Sequence, residues 1–153
     1  MITRIIVALV LAPLFLAVLI FFPPVMLAVM VAGIGALASY ELLRATQVAH
    51  HNGMYILTAL AAAVIPVGHW LGAGSWTARA VTLALMALLF FLAIRLYGTQ
   101  RAVRAEHLMV CLFAGAVIPL FLSALIQLKG MENGRGFVLL PVVCAFTTDI
   151  GAY

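Results

Sequence analysis

Asp149 is the residue in this chain whose type and setting most invite chemistry. It stands twelve residues beyond Phe137 in an apolar run that continues to Tyr153, about 18 Å of helix rise into that run. A carboxylate near the centre of a membrane helix costs about 2.5–3.5 kcal/mol to insert, so such groups usually face a bundle interior or a water-filled cavity and serve a function. Thr147, Thr148, Gly151 and Tyr153 break the same run with hydroxyls and a glycine, and Tyr153, at i+4 from Asp149, shares its helix face. Asp149, Thr148, Gly151 and Tyr153 are therefore expected to line a polar cavity. Asp149 is also the candidate metal ligand, because Mg²⁺ favours one or two carboxylates together with substrate phosphates. The plainer reading is a carboxylate near a helix end that snorkels to the aqueous interface or pairs with a basic residue outside this sequence.

The other charged residues have simpler readings. Glu41 and Arg44 are three apart near the end of an apolar run, the spacing of an interfacial ion pair worth a few tenths of a kcal/mol; a supporting role at the mouth of a site is the sharper alternative. Arg95, Arg101 and Arg104 form the densest basic stretch. They read first as topology determinants and second as attraction for an anionic head group or nucleotide phosphates. His50 and His51 are adjacent, and His69 and His107 have no acidic or cysteine partner at ligand spacing. Cys111 and Cys144 lie in apolar runs and read as small hydrophobes. No Gly-rich phosphate loop, nucleophilic serine motif or His-Glu metal motif occurs.

The elements that position these residues follow from composition. The 153 residues are 67% hydrophobic and 8% charged, with mean hydropathy +1.29, against about 45–50% and about 25% in ordinary globular domains. Twelve charged side chains cannot cover a soluble fold of this length, so lipid is the outer solvent. The net charge of +4 comes from basic residues scattered singly between apolar runs, a loop pattern that points away from nucleic acid. The expectation is an all-α, polytopic transmembrane helix bundle of about six spans in a single region, the last one truncated. The spans fall near 5–22, 25–43, 54–71, 78–97, 107–128 and 137–153, each about long enough to cross roughly 30 Å of hydrocarbon.

The first run is too long for a signal peptide and ends at Pro23 and Pro24 without a cleavage site, so it reads as an uncleaved helix in a tight hairpin with the second. Pro66, Pro119 and Pro141 fall inside spans and are expected to kink them, each freeing a carbonyl that a neighbour must satisfy. Gly33, Gly35, Ala36 and Gly115 are expected at close helix contacts. With a cytosolic N-terminus, Arg4, Arg44, Arg95, Arg101 and Arg104 face inward, against Arg79, Lys129 and Arg135 outward. That asymmetry favours this orientation in the plasma (inner) membrane.

Three stretches carry a resemblance. Met1-Ile2-Thr3-Arg4-Ile5-Ile6-Val7-Ala8, Ala38-Ser39-Tyr40-Glu41-Leu42 and, most specifically, Asp149-Ile150-Gly151-Ala152-Tyr153 resemble the phosphatidate cytidylyltransferase family, the CDP-diacylglycerol synthases. The last is similar to the acidic Asp-x-Gly-Ala-Tyr stretch in the family's cytosolic catalytic half. The resemblance implies transfer of CMP from CTP to phosphatidic acid, releasing pyrophosphate, with Mg²⁺ as cofactor. The partners it implies are CTP and the membrane lipid, with a homodimer as a further possibility. The family's later lysine-rich segment and its signature with Gly-His-Gly-Gly and Asp-Arg-x-Asp do not occur here. The chain is accordingly expected to be an N-terminal fragment, inactive alone, with no catalytic residue assigned beyond the Asp149 cavity.

Other classes leave different marks. A secondary transporter or channel half would use Asp149 as a coupling carboxylate and show a second polar, Gly-interrupted span, which the first five runs lack. A structural subunit would leave Thr147 to Tyr153 as an unexplained cost. Another lipid-modifying or polyprenol-phosphate enzyme would share the general build.

Overall fold

The computed structural model describes residues 13, 15–46, 52–99 and 103–151, and only the backbone of Asn52, Arg135, Phe146, Asp149 and Ile150. The fold is an all-α transmembrane helix bundle, without strands among the described residues. A helical segment, α1 (15–21), leads into α2 (Pro24–Ala45), α3 (Asn52–Trp70), α4 (Gly74–Arg95) and α5 (Ala105–Lys129). A short α6 (Gly134–Phe137) and α7 (Leu139–Gly151) follow. Helices α2 to α5 are each long and apolar enough to cross a membrane. Half of the expected first span, residues 5–12 and 14, falls outside the described residues, and so does the end of the last, 152–153.

Turn chemistry explains where the helices stop. Pro23 is extended and Pro24 opens α2, where a missing N–H costs nothing because the first helical N–H groups lack partners anyway. Gly72, with φ of 77°, supplies the left-handed residue that reverses the chain between α3 and α4. Asn133, at φ 62°, does the same before α6. The last carbonyls of α1 find a partner far away in sequence. Lys129 Nζ, at the end of α5, donates to the carbonyl oxygens of Val18 at 3.0 Å and Leu19 at 2.6 Å, capping two groups a helix terminus otherwise leaves open.

Helix α3 is the hub, packed on α2, α4 and α5. Leu43, Met54, Leu85, Leu89, Leu108 and Cys111 close the core toward the α2–α3 and α4–α5 connections. At the other end, Leu19, Leu27, Val31, Ile126 and Val138 form a second cluster. Outward faces carry large exposed apolar groups, among them Val29, Leu60, Leu83, Phe91 and Ile94, as lipid contact requires. Trp70 and Trp76 are exposed around the α3–α4 turn and Tyr97 just past α4, which places aromatic side chains at both ends of these spans, where amphipathic rings meet head groups.

The three prolines behave differently from one another. Pro66 lies inside α3 as expected; the Ala62 carbonyl it frees sits over Gly35, where an added methyl would come within 3.3 Å of the oxygen. Pro119 follows a π-helical turn, Phe113–Val117, that interrupts α5. Pro141 does not kink a continuous span. A turn at Val138 separates α6 from α7, so Pro141 occupies the first turn of a new helix, where no N–H is needed. Gly33 also departs from expectation: it is exposed, with nothing within 4 Å of an added Cβ, while Gly35 and Gly115 hold the close contacts.

Candidate functional site

One end of the bundle is basic. Arg44 closes α2 and Arg95 closes α4, each in a last turn where a cation complements the helix dipole. Arg104 sits just before α5 and pairs with Glu106 in its first turn, Nη2 to Oε1 at 3.1 Å. Both partners are largely exposed, so the pair contributes at most about 1 kcal/mol. Glu41 and Arg44 are exposed, and no ion pair joins them among the described residues; α2 and α3 meet here through the Tyr40 and Tyr55 rings, 5.5 Å apart and tilted by 53°. Arg101, like Arg4, His50 and His51, lies outside the described residues. Beside this end an apolar cleft of about 400 Å³ opens between Phe90, Ile94, Tyr97, Val103 and Leu108, adjoining Arg95 and Arg104 in the chain.

Helix α7 carries the acidic stretch. Thr147 and Thr148 are exposed, and both hydroxyls turn back onto their own helix. Thr147 Oγ1 donates to the carbonyls of Val143 at 2.9 Å and Cys144 at 3.0 Å, and Thr148 Oγ1 to Cys144 at 2.7 Å. Such back-bonding satisfies a hydroxyl without a neighbour. Asp149 belongs to α7 by its backbone, Gly151 is its exposed last residue, and Tyr153 lies outside the described residues, as does the Asp149 side chain. Among the described residues no three His, Cys, Asp or Glu side chains come together at metal-binding range.

The polar centre that sequence reasoning missed is inside the bundle. In the π turn the Ile118 N–H bonds to the Phe113 carbonyl, five residues back. The Ala114 carbonyl thereby loses its α-helical donor, and its π-helical donor would be residue 119, a proline without an N–H. Ser39 of α2 resolves this: its Oγ lies 2.7 Å from the Ala114 oxygen and 2.7 Å from the Gly35 oxygen of its own helix, sharing one proton between two acceptors. Thr58 of α3 is fully buried beside Gly115 and the Cys111 thiol, and its Oγ1 makes no well-formed hydrogen bond there, the thiol being its nearby polar neighbour. The available signal was Gly35-x-x-x-Ser39, a pair of small residues one turn apart, combined with Pro119 on another helix. Neither alone announces a contact.

Residues 2–153 match the model of the Cytidylyltransferase family. The chain belongs to this family. No curated protein and no solved structure matches it. Family membership makes the protein a nucleotidyltransferase of the membrane, and it leaves the transporter reading without support.

Proposed function

We infer that this family member is a phosphatidate cytidylyltransferase, joining CTP and phosphatidic acid into CDP-diacylglycerol and pyrophosphate. The supporting observation is the family match across residues 2–153 together with its most specific stretch, Asp149-Ile150-Gly151-Ala152-Tyr153. In this reaction a phosphate oxygen of the lipid attacks the α-phosphorus of CTP, and the bond to the β-phosphate breaks as pyrophosphate leaves. Every reactant is anionic, so catalysis consists largely of positioning and charge stabilisation.

This chain's residues suit parts of that task. Arg44, Arg95 and Arg104 share one end of the bundle and raise the local concentration of anionic reactants. The apolar cleft along Phe90, Ile94 and Leu108 offers an acyl chain a place beside them. Asp149 supplies a hard oxygen donor of the kind that, with substrate phosphates, makes up a Mg²⁺ shell; the ion's contribution would be to neutralise the triphosphate. Thr148, Gly151 and Tyr153 would flank that position. The reading places the N-terminus and the basic end in the cytosol, where CTP is found.

Only four carboxylates are present in the chain, Glu41, Glu106, Glu132 and Asp149. Glu106 is paired to Arg104, and because the Gly-His-Gly-Gly and Asp-Arg-x-Asp signature does not occur among the 153 residues we expect these residues alone to show no CTP-dependent turnover. Incubating the full-length protein in liposomes with CTP and phosphatidic acid tests the assignment. Equal yields of CDP-diacylglycerol and pyrophosphate support it; turnover with a polyprenol phosphate but not with phosphatidic acid would move the protein to a different lipid substrate.

A further inference from the structure

At the end of the bundle opposite Arg44, Arg95 and Arg104, an open cleft of about 510 Å³ lies between α3, α4 and α5. Its lining is graded. Ser75, Arg79 and Thr82 recur at i, i+4 and i+7 of α4 and so share one face, with His69 of α3 at the mouth. Leu83 of α4 and Leu120 of α5 form the deeper part, about 12 Å of helix rise below Ser75. The His69 ring is held in place by its Nδ1, which donates to the Ile65 carbonyl at 3.0 Å, and it packs against Gly74, where a side chain would collide with it.

The charge and the depth of this cleft point to one kind of occupant. Exposed Trp70 and Trp76 mark the head-group level at this end, and Arg79 enters α4 little more than one turn past Gly74. Among the described residues Arg79 has no acidic partner. An arginine at that depth, with hydroxyls one turn above and below and leucines beneath, matches an amphiphile that carries phosphate at its polar end. We propose that the cleft binds the head group of an anionic phospholipid from the leaflet opposite the basic end. Arg79 takes the phosphate, the hydroxyls of Ser75 and Thr82 stand beside it, and an acyl chain lies over Leu83 and Leu120. The site is separate from the reacting end and does not depend on the cytidylyl-transfer reading.

The test uses the full-length protein in nanodiscs of phosphatidylcholine with a minor fraction of phosphatidylglycerol, with retained phosphatidylglycerol counted by native mass spectrometry. Arg79→Ala is expected to lower retention about fivefold, the factor a single interfacial arginine contributes, and Arg79→Lys to restore part of it. Leu83→Trp, at an exposed position, fills the floor while keeping the charge and is expected to lower retention as well. It keeps the test decisive if Arg79→Ala fails to fold. Unchanged retention in either folded variant would overturn the proposal, and so would displacement of the lipid by millimolar inorganic phosphate, which would mean that a free anion is the ligand.

Discussion

Replacing Ser39 with Ala removes the hydroxyl that reaches the Ala114 carbonyl at the π turn. Interhelical hydrogen bonds in membrane proteins average about 0.6 kcal/mol and reach about 1.7. This one belongs at the upper end, because the Ile118 N–H is committed to Phe113, residue 119 has no N–H, and Ser39 is buried, so no water replaces the lost proton. The expected cost is about 1.5 kcal/mol. Ser123→Ala is the matched control: Ser123 is equally buried, but its Oγ bonds at 2.6 Å to the Pro119 carbonyl in its own helix, which has an ordinary helical donor, so the expected cost is below about 0.5 kcal/mol. Reversible unfolding in mixed micelles, followed by far-UV circular dichroism, measures both. A third variant sharpens the cycle. Pro119→Ala restores an N–H five residues after Ala114, so the loss on adding Ser39→Ala should shrink in that background. Equal costs for Ser39→Ala and Ser123→Ala, or no coupling to residue 119, would refute this account of the π turn.

Two further substitutions probe the same core. Gly115→Ala places a methyl 2.7 Å from Leu85 Cδ2 and 3.0 Å from Thr58 Cγ2 and should cost about 1–3 kcal/mol in the same unfolding assay, whereas Gly33→Ala, with open space around it, should be close to neutral. Thr58→Val replaces a buried hydroxyl that makes no well-formed hydrogen bond by a methyl of similar size and should leave stability unchanged or raise it by up to about 1 kcal/mol; a clear loss would show that the hydroxyl bonds the neighbouring Cys111 thiol or another partner.

The transmembrane bundle was legible because lipid imposes one rule, a run of about 20 apolar residues per crossing, and this chain has too few charges to obscure it. Local punctuation was legible too: Pro23 and Pro24 stop one helix and start the next. What escaped depends on tertiary partners. Pro119 announces a disturbed helix but not whether it resolves as a kink or a π turn, since that depends on Ser39, 80 positions away in the chain. Lys129 reads as a loop charge until its Nζ is seen on the carbonyls of α1. The break at Val138 was hidden because Phe137 and Leu139 are as apolar as a continuous span, while the glycines and left-handed Asn133 that set the new direction lie just before it. For the candidate site, residue type alone singled out Asp149, and Glu41 and Arg44 show how spacing can suggest a pair that the side chains do not make.

The most direct test of the catalytic reading is Asp149→Asn in the full-length protein, which keeps the size and polarity of the side chain while removing its charge. Formation of CDP-diacylglycerol from CTP and phosphatidic acid, measured across a Mg²⁺ titration, is expected to fall at least tenfold and to need more metal. Wild-type rates with an unshifted Mg²⁺ dependence would show that the carboxylate serves only the helix end.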